Sequence, residues 1–262
     1  MHIYDTFADC YEADFGDHSE DIQFYCEMAR RTGGPIVELM CGSGRLLLPL
    51  AEEGYQVTGV DSSARMLDFA QAKLDDVKLA HQVALIHADV RSVELPERHF
   101  ALAFVAINSF MHLEQSRDQL AVLSLLRRAL TRKGFLILDL FNPDPVRLAA
   151  EDNRLSLDHH YTLEGRQVQK FVASESDLAT QTSYVTYIYD MFDVEGQVTR
   201  RVMQFTLRWL YRYELEHLLA RAGFVLRSLY GTYDLDEYNS ASPRLIAVAS
   251  PDRAETNPLP DD

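Results

Sequence analysis

Cysteine is scarce in this chain and tryptophan scarcer: three cysteines (Cys10, Cys26, Cys41) and one tryptophan in 262 residues. Three scattered thiols, an odd number, build no disulfide framework and fit a reducing, cytoplasmic compartment. Basic side chains are also few, 25 Lys and Arg against 40 Asp and Glu, for a net charge of −15. A duplex presents one negative charge per roughly 1.7 Å, so a nucleic-acid reader needs a basic stripe. Arg127-Arg128 and Arg200-Arg201 are only isolated doublets, and the same deficit disfavours an anionic membrane surface. No apolar run reaches the ~18 residues that span a bilayer; the longest, Phe100 to Ile107, has strand length. Met1-His2-Ile3-Tyr4-Asp5 lacks the basic and apolar regions of a signal peptide. Against these absences stands an ordinary globular composition, 47% apolar and 25% charged.

Residues 2–32 read as two helices broken near Gly16, the second stopped by Gly33-Gly34-Pro35. Short apolar strands then alternate with helices. Strands are expected at 36–39, 56–60, 83–87, 100–107 and 135–141, with helices at 46–53, 64–74 and within 115–131. That alternation is the pattern of a parallel sheet covered on both faces. From about Leu155 the period becomes two: Met203, Phe205, Leu207 and Trp209 alternate with Gln204, Thr206 and Arg208. Glu164-Gly165 and Glu195-Gly196 sit between such runs as hairpin turns. Residues 155–209 are therefore expected as antiparallel strands inserted into an α/β domain, which a helix and strands at 224–229 and 245–249 complete. Pro251 to Asp262 has no apolar period and reads as a disordered tail.

The chemistry-bearing segment is Glu38-Leu39-Met40-Cys41-Gly42-Ser43-Gly44, which joins the first strand to its helix. Glycines there let a backbone approach a ligand at the carboxyl end of the sheet, or merely make a tight turn. Asp61 ends the second strand. It can accept from both hydroxyls of a ribose or cap the next helix. A dinucleotide fingerprint wants a third glycine where this chain has Leu47. Glu38 would also repel a diphosphate, whereas a sulfonium and an ammonium favour an acidic neighbour. S-adenosylmethionine satisfies that preference.

With these residues in place, the chain resembles the class I S-adenosylmethionine-dependent methyltransferases. Four motifs in strand order carry the likeness: Glu38 to Gly44, Gly59-Val60-Asp61-Ser62-Ser63 with Met66-Leu67, His87-Ala88-Asp89-Val90, and Ala106-Ile107-Asn108-Ser109-Phe110. The resemblance implies a Rossmann-like α/β fold, with a seven-stranded mostly parallel sheet and an antiparallel β subdomain. In domain terms it implies a helical lid at 1–34, the cofactor domain at 35–150 and 210–250, an acceptor subdomain at 151–209, and the tail at 251–262. It also implies that Glu38 and the backbone at Gly42 and Gly44 hold the methionine portion and that Asp61 grips the ribose. Ser62 and Met66 then line the adenosine, Asp89 and Val90 meet the adenine, and Asn108 lies beside the methionine ammonium. Met40 stands where the family usually has glycine. Tyr11 is either a contact to the methionine end or part of a packing stripe with Tyr4 and Phe7, and Arg45 either reaches the cofactor or lies on the surface.

The inserted strands resemble those of small-molecule N-methyltransferases for glycine and aminosugars. The expected partner is thus a small-molecule acceptor, an amine ahead of a hydroxyl, with no nucleic acid and no membrane. Tyr161, Tyr184, Tyr187, Tyr189, Tyr211, Tyr230 and Tyr233 either pack strands or offer aromatic faces to a cation. His112 and His160 are the candidate bases, with His159 the alternative on its strand. A nicotinamide oxidoreductase and a non-catalytic binding protein on the same fold are the rival readings.

Overall fold

The computed structural model describes residues 3–252. Helices α1 (Ile3–Phe15) and α2 (Ile22–Thr32) lead into β1 (Ile36–Leu39), α3 (Leu47–Glu52), β2 (Val57–Asp61), α4 (Ala64–Asp76) and β3 (Val83–His87). Next come β4 (Phe100–Val105), a 3-10 turn at Ser109–His112, α5 (Ser116–Ala129), β5 (Leu130–Phe141) and α6 (Pro145–Glu151). Strands β6 (Arg154–Leu163), β7 (Arg166–Asp177), β8 (Thr182–Phe192) and β9 (Val198–Arg208) precede α7 (Arg212–Arg221), β10 (Phe224–Tyr230) and β11 (Arg244–Pro251). Of the expected tail, Pro251 closes β11, and residues 253–262 lie outside the described residues.

Among the described residues the strands form a seven-stranded sheet, in the order β10-β11-β5-β4-β1-β2-β3, and a four-stranded one, β6-β7-β8-β9. The first is parallel from β3 to β5 and antiparallel at β11 and β10. The second is antiparallel throughout. The fold is thus the mixed, Rossmann-like α/β arrangement expected. Chain order reverses between β1 and β4, and a ligand crevice opens at the carboxyl ends of strands on either side of such a switch. The loops that follow β1 and β4 carry two of the four motifs.

Side-chain alternation explains why the large sheet is covered twice. Ile36, Leu102, Phe104, Ile137 and Ile246 face a core shared with Phe24, Tyr25, Met28 and Leu50. Val37, Ala103, Val105, Leu136 and Leu138 face the other, shared with Leu123, Leu126 and Leu219. Each fully buried Leu or Ile contributes about 1.5–3 kcal/mol of burial. Ser63 rather than Asp61 caps α4, its hydroxyl accepting from the Met66 N–H at 3.2 Å. Asn142-Pro143-Asp144-Pro145 proves to be a helix start: Asp144 accepts from the Val146 N–H at 2.8 Å and Pro145 occupies the first turn of α6.

Strand β5 begins five residues earlier than the apolar pattern suggested. Its pairing with β4 jumps from Phe100↔Leu130 to Leu102↔Phe135. At Gly134 a Cβ would lie 3.0–3.1 Å from the carbonyl oxygens of Phe100 and Ala101, so any side chain there would push the two backbones apart.

Candidate active site

The loop after β1 turns under a left-handed backbone, with φ +58° at Met40 and +55° at Gly42. For Met40 that conformation costs roughly 1–2 kcal/mol, which the surrounding core must sustain. Gly44 fits for a packing reason: a Cβ there would sit 2.9 Å from the Ala70 Cβ of α4. Asp61 stitches this loop to the next. Its carboxylate accepts from the Gly42 N–H and from the Ser63 N–H, each at 2.8 Å.

Two cavities meet at this loop. The smaller, about 30 Å³, is lined by Tyr11, Phe15, Glu38, Met40, Gly42, Arg45 and their neighbours. Glu38 is 4% exposed, and its Oε2 finds no hydrogen-bond partner among the described residues. Burial, reinforced by Asp21 and Asp61 and opposed by Arg45, pushes its carboxyl well above the usual range. A buried carboxylate oxygen left unpaired costs several times an ordinary hydrogen bond, so this oxygen suits a cationic ligand atom. Arg45 is committed elsewhere: it holds Asp21 at 2.5 and 2.7 Å and donates to the His18 carbonyl at 2.9 Å.

The larger cavity, about 650 Å³, extends under α1. Its floor carries Met40, Gly42, Asp61, Ser62, Met66, Ile107 and Asn108. Tyr4, Tyr11 and Phe15 close it from α1, and His112, Glu114, Tyr187 and residues 204–207 of β9 form the far wall. Asn108 is itself left-handed, at φ +62°. Its Oδ1 accepts from the Phe141 N–H at 2.7 Å, while buried Asp139 accepts from the Ile107 N–H at 3.1 Å. Arg244 and the Tyr233 hydroxyl hold Asp139 in turn. The loop after β4 is thereby pinned to β5 and β11.

Helix α1 divides its side chains between two neighbours. Phe7 and Cys10 join Val168, Tyr189, Met191 and Met203 of the antiparallel sheet, with Tyr4 packed against the same cluster and its ring 5.7 Å from that of Tyr11. On that side Lys170, 1% exposed, reaches Asp14 and Asp158 at 2.9 Å each. Tyr189 donates to Asp14 at 2.8 Å, and Arg201 pairs with Asp9 at 2.8 Å. On the other side Asp5 accepts from the Ser63 hydroxyl at 2.7 Å, and Glu12 pairs with Lys73 of α4 at 2.5 Å.

Of the residues singled out from the sequence, Tyr11, Gly42, Asp61, Ser62, Met66, Asn108 and His112 line the large cavity, and Glu38 the small one. Gly44, Asp89, Val90 and His160 line neither. Asp89 is held by its neighbour Arg91. Val90 is buried in the core. His160 is exposed on β6, an edge strand. Among the seven tyrosines named above, Tyr187 alone lines the large cavity, and Lys170 Nζ lies 4.1 Å from its ring centroid. That ring thus already meets one cation of the protein's own. Sequence reasoning named Tyr4 only as part of a packing stripe and missed Glu114 and Lys170; the Tyr4, Tyr11, Phe15 spacing along one helix face was the available signal that Tyr4 reaches the cavity.

Residues 36–134 match a family model described as a methyltransferase domain. The cypemycin N-terminal methyltransferase of a Streptomyces species is 26% identical over 216 residues, 82% of each chain. The glycine/sarcosine N-methyltransferase of Halorhodospira halochloris is 29% identical over 206 residues, 76% of this chain and 74% of that one. The structure of the CcbJ methyltransferase from Streptomyces caelestis superposes with a TM-score of 0.81 at 24% identity, covering 95% of this chain and 98% of that one.

Proposed function

The chain is an S-adenosylmethionine-dependent methyltransferase, and on that premise we propose that it methylates an amine of a small molecule held beneath α1. The observation that carries the reading is the unpartnered, buried Oε2 of Glu38 beside the left-handed loop. A diphosphate would meet Glu38 and Asp61 as like charges, whereas an ammonium completes Glu38. When bound, S-adenosylmethionine supplies an activated methyl group on a sulfonium.

This reading gives Glu38 and the Gly42 backbone the methionine end and Asp61 the ribose hydroxyls. Asp61 is preorganised for that role by the two N–H groups that already fix its carboxylate. Ser62 and Met66 line the adenosine, Tyr11 and Asn108 flank the methionine portion, and Gly44 sets the loop against α4. The assignment of Asp89 and Val90 to the adenine rests on their motif after β3.

The insertion at 151–209 and the lid at 1–34 then close the acceptor pocket over the cofactor domain. The charged side chains lining the large cavity are Asp61 and Glu114, both acidic. Such a wall favours a cationic or neutral acceptor over a phosphorylated one. The two curated relatives support an amine by their names. The protein's own contribution is alignment and exclusion of water, worth up to ~7–11 kcal/mol when two reactants are held in line. His112 is kept as the proton acceptor over His160, because His112 lines the cavity. The buried free thiols Cys10, Cys26 and Cys41 suit a reducing, cytoplasmic setting, and no described helix is long and apolar enough to cross a membrane.

The test is a mass-detected screen of the purified protein with S-adenosylmethionine. Glycine, sarcosine, glucosamine and a tripeptide with a free N-terminus serve as amines, glucose and glycerol as hydroxyl controls. The reading expects methyl transfer to at least one amine and to neither control. Transfer to the hydroxyl compounds alone would overturn it.

A further inference from the structure

Tyr4 and His112 stand 108 residues apart, on α1 and on the turn after β4, yet Tyr4 Oη lies 3.0 Å from His112 Nε2. Both line the large cavity. The imidazole is held between two rings, Tyr4 edge-on at 5.8 Å and Phe205 tilted at 5.4 Å. The nitrogen that would receive a proton therefore faces a phenol. Resting on the reading of this cavity as the acceptor site, we propose that Tyr4 is a catalytic residue whose hydroxyl takes a proton from the acceptor ammonium while passing its own to His112 Nε2.

The balance is simple. One N–H bond of the acceptor breaks and its electron pair stays on nitrogen, which becomes nucleophilic. A new O–H bond forms on Tyr4 as the old one breaks, and the imidazole becomes imidazolium until solvent takes the proton. Tyr4 is a neutral phenol before and after. Burial, with Tyr11, Tyr187 and Asp61 nearby, pushes its own ionisation well above 10, so a resident phenolate is not the base. A phenol that keeps its proton serves only with an acceptor behind it, and His112 occupies that place.

The experiment joins a spectroscopic readout to a kinetic one. Long-range proton–nitrogen correlation on ¹⁵N-histidine-labelled protein with S-adenosylhomocysteine should show His112 carrying its proton on Nδ1, with Nε2 as acceptor. With the best amine of the screen, Tyr4→Phe and His112→Gln should each lower kcat about 10²- to 10⁴-fold. The double variant should fall little further, and affinity for S-adenosylhomocysteine should stay within about threefold by calorimetry. A His112 proton on Nε2, or a Tyr4→Phe enzyme with wild-type kcat, would overturn the relay. So would losses confined to KM, which indicate a contact that only holds α1 in place. Failure of the wild-type protein to bind S-adenosylhomocysteine would instead remove the proposed function itself.

Discussion

The loop after β1 and the wall beneath α1 border one continuous space, but they are built by different means. At the loop, local backbone does the positioning: Met40 and Gly42 are left-handed, and one carboxylate, Asp61, receives two N–H groups. At the wall, side chains from α1, the turn after β4 and β9 meet across long sequence distances. The contact between Tyr4 and His112 is the clearest case. A site made of backbone can hold the same ligand through much sequence change, since it needs only small residues and a turn. A site assembled from distant side chains alters with single substitutions. Under the proposed function, the constant part of the reaction falls to the loop and the variable part to the wall.

The two ends also differ in how charge is stabilised, and that difference can be broken deliberately. The largest effect is expected at Lys170, which ties α1 to the antiparallel sheet. Removing one member of a buried pair leaves the other charge uncompensated, at about 3–5 kcal/mol. Lys170→Met strands Asp14, whose side chain is fully buried. At ~2–4 °C per kcal/mol for a chain of this size, Tm should fall by roughly 6–20 °C in a thermal melt. The double variant Lys170→Met/Asp14→Leu should recover part of that loss. A change of a degree or less would mean that apolar packing alone seats α1.

Glu38 gives a smaller effect of opposite sign. Because burial raises its carboxyl above the unfolded value of 4.5, the folded state binds the proton more tightly. Stability attributable to this group is therefore highest below pH 4.5 and falls as pH rises toward the folded value. Glu38→Gln should then be more stable than wild type at pH 8 without ligand, with the gap closing toward pH 4.5, in urea titrations at both pH values. Its affinity for S-adenosylmethionine should nevertheless drop about tenfold, as expected for one charge-assisted hydrogen bond of ~1.5 kcal/mol. A variant less stable than wild type at both pH values would show that Glu38 is already satisfied within the protein.

The same division explains what was legible in the sequence. The order of β1 to β5 and the loop at 38–44 could be read directly, because each motif spans a strand end and the next helix start. The antiparallel insertion was legible through its period of two and the turn at Glu164-Gly165, where both residues adopt positive φ. Tyr4 facing His112 and Lys170 facing Asp14 were not legible, since no local pattern in a strand or helix encodes a partner more than 100 residues away. The extension of β5 was hidden for another reason. Thr131-Arg132-Lys133-Gly134 carries no apolar alternation, and the backbone of β4 lies against Gly134.

The most direct test of the account is isothermal calorimetry of S-adenosylhomocysteine against the wild-type protein and Asp61→Ala. The account predicts saturable binding to the wild type and at least a hundredfold weaker binding to a variant whose circular dichroism is unchanged. Equal affinity in the two proteins would contradict it.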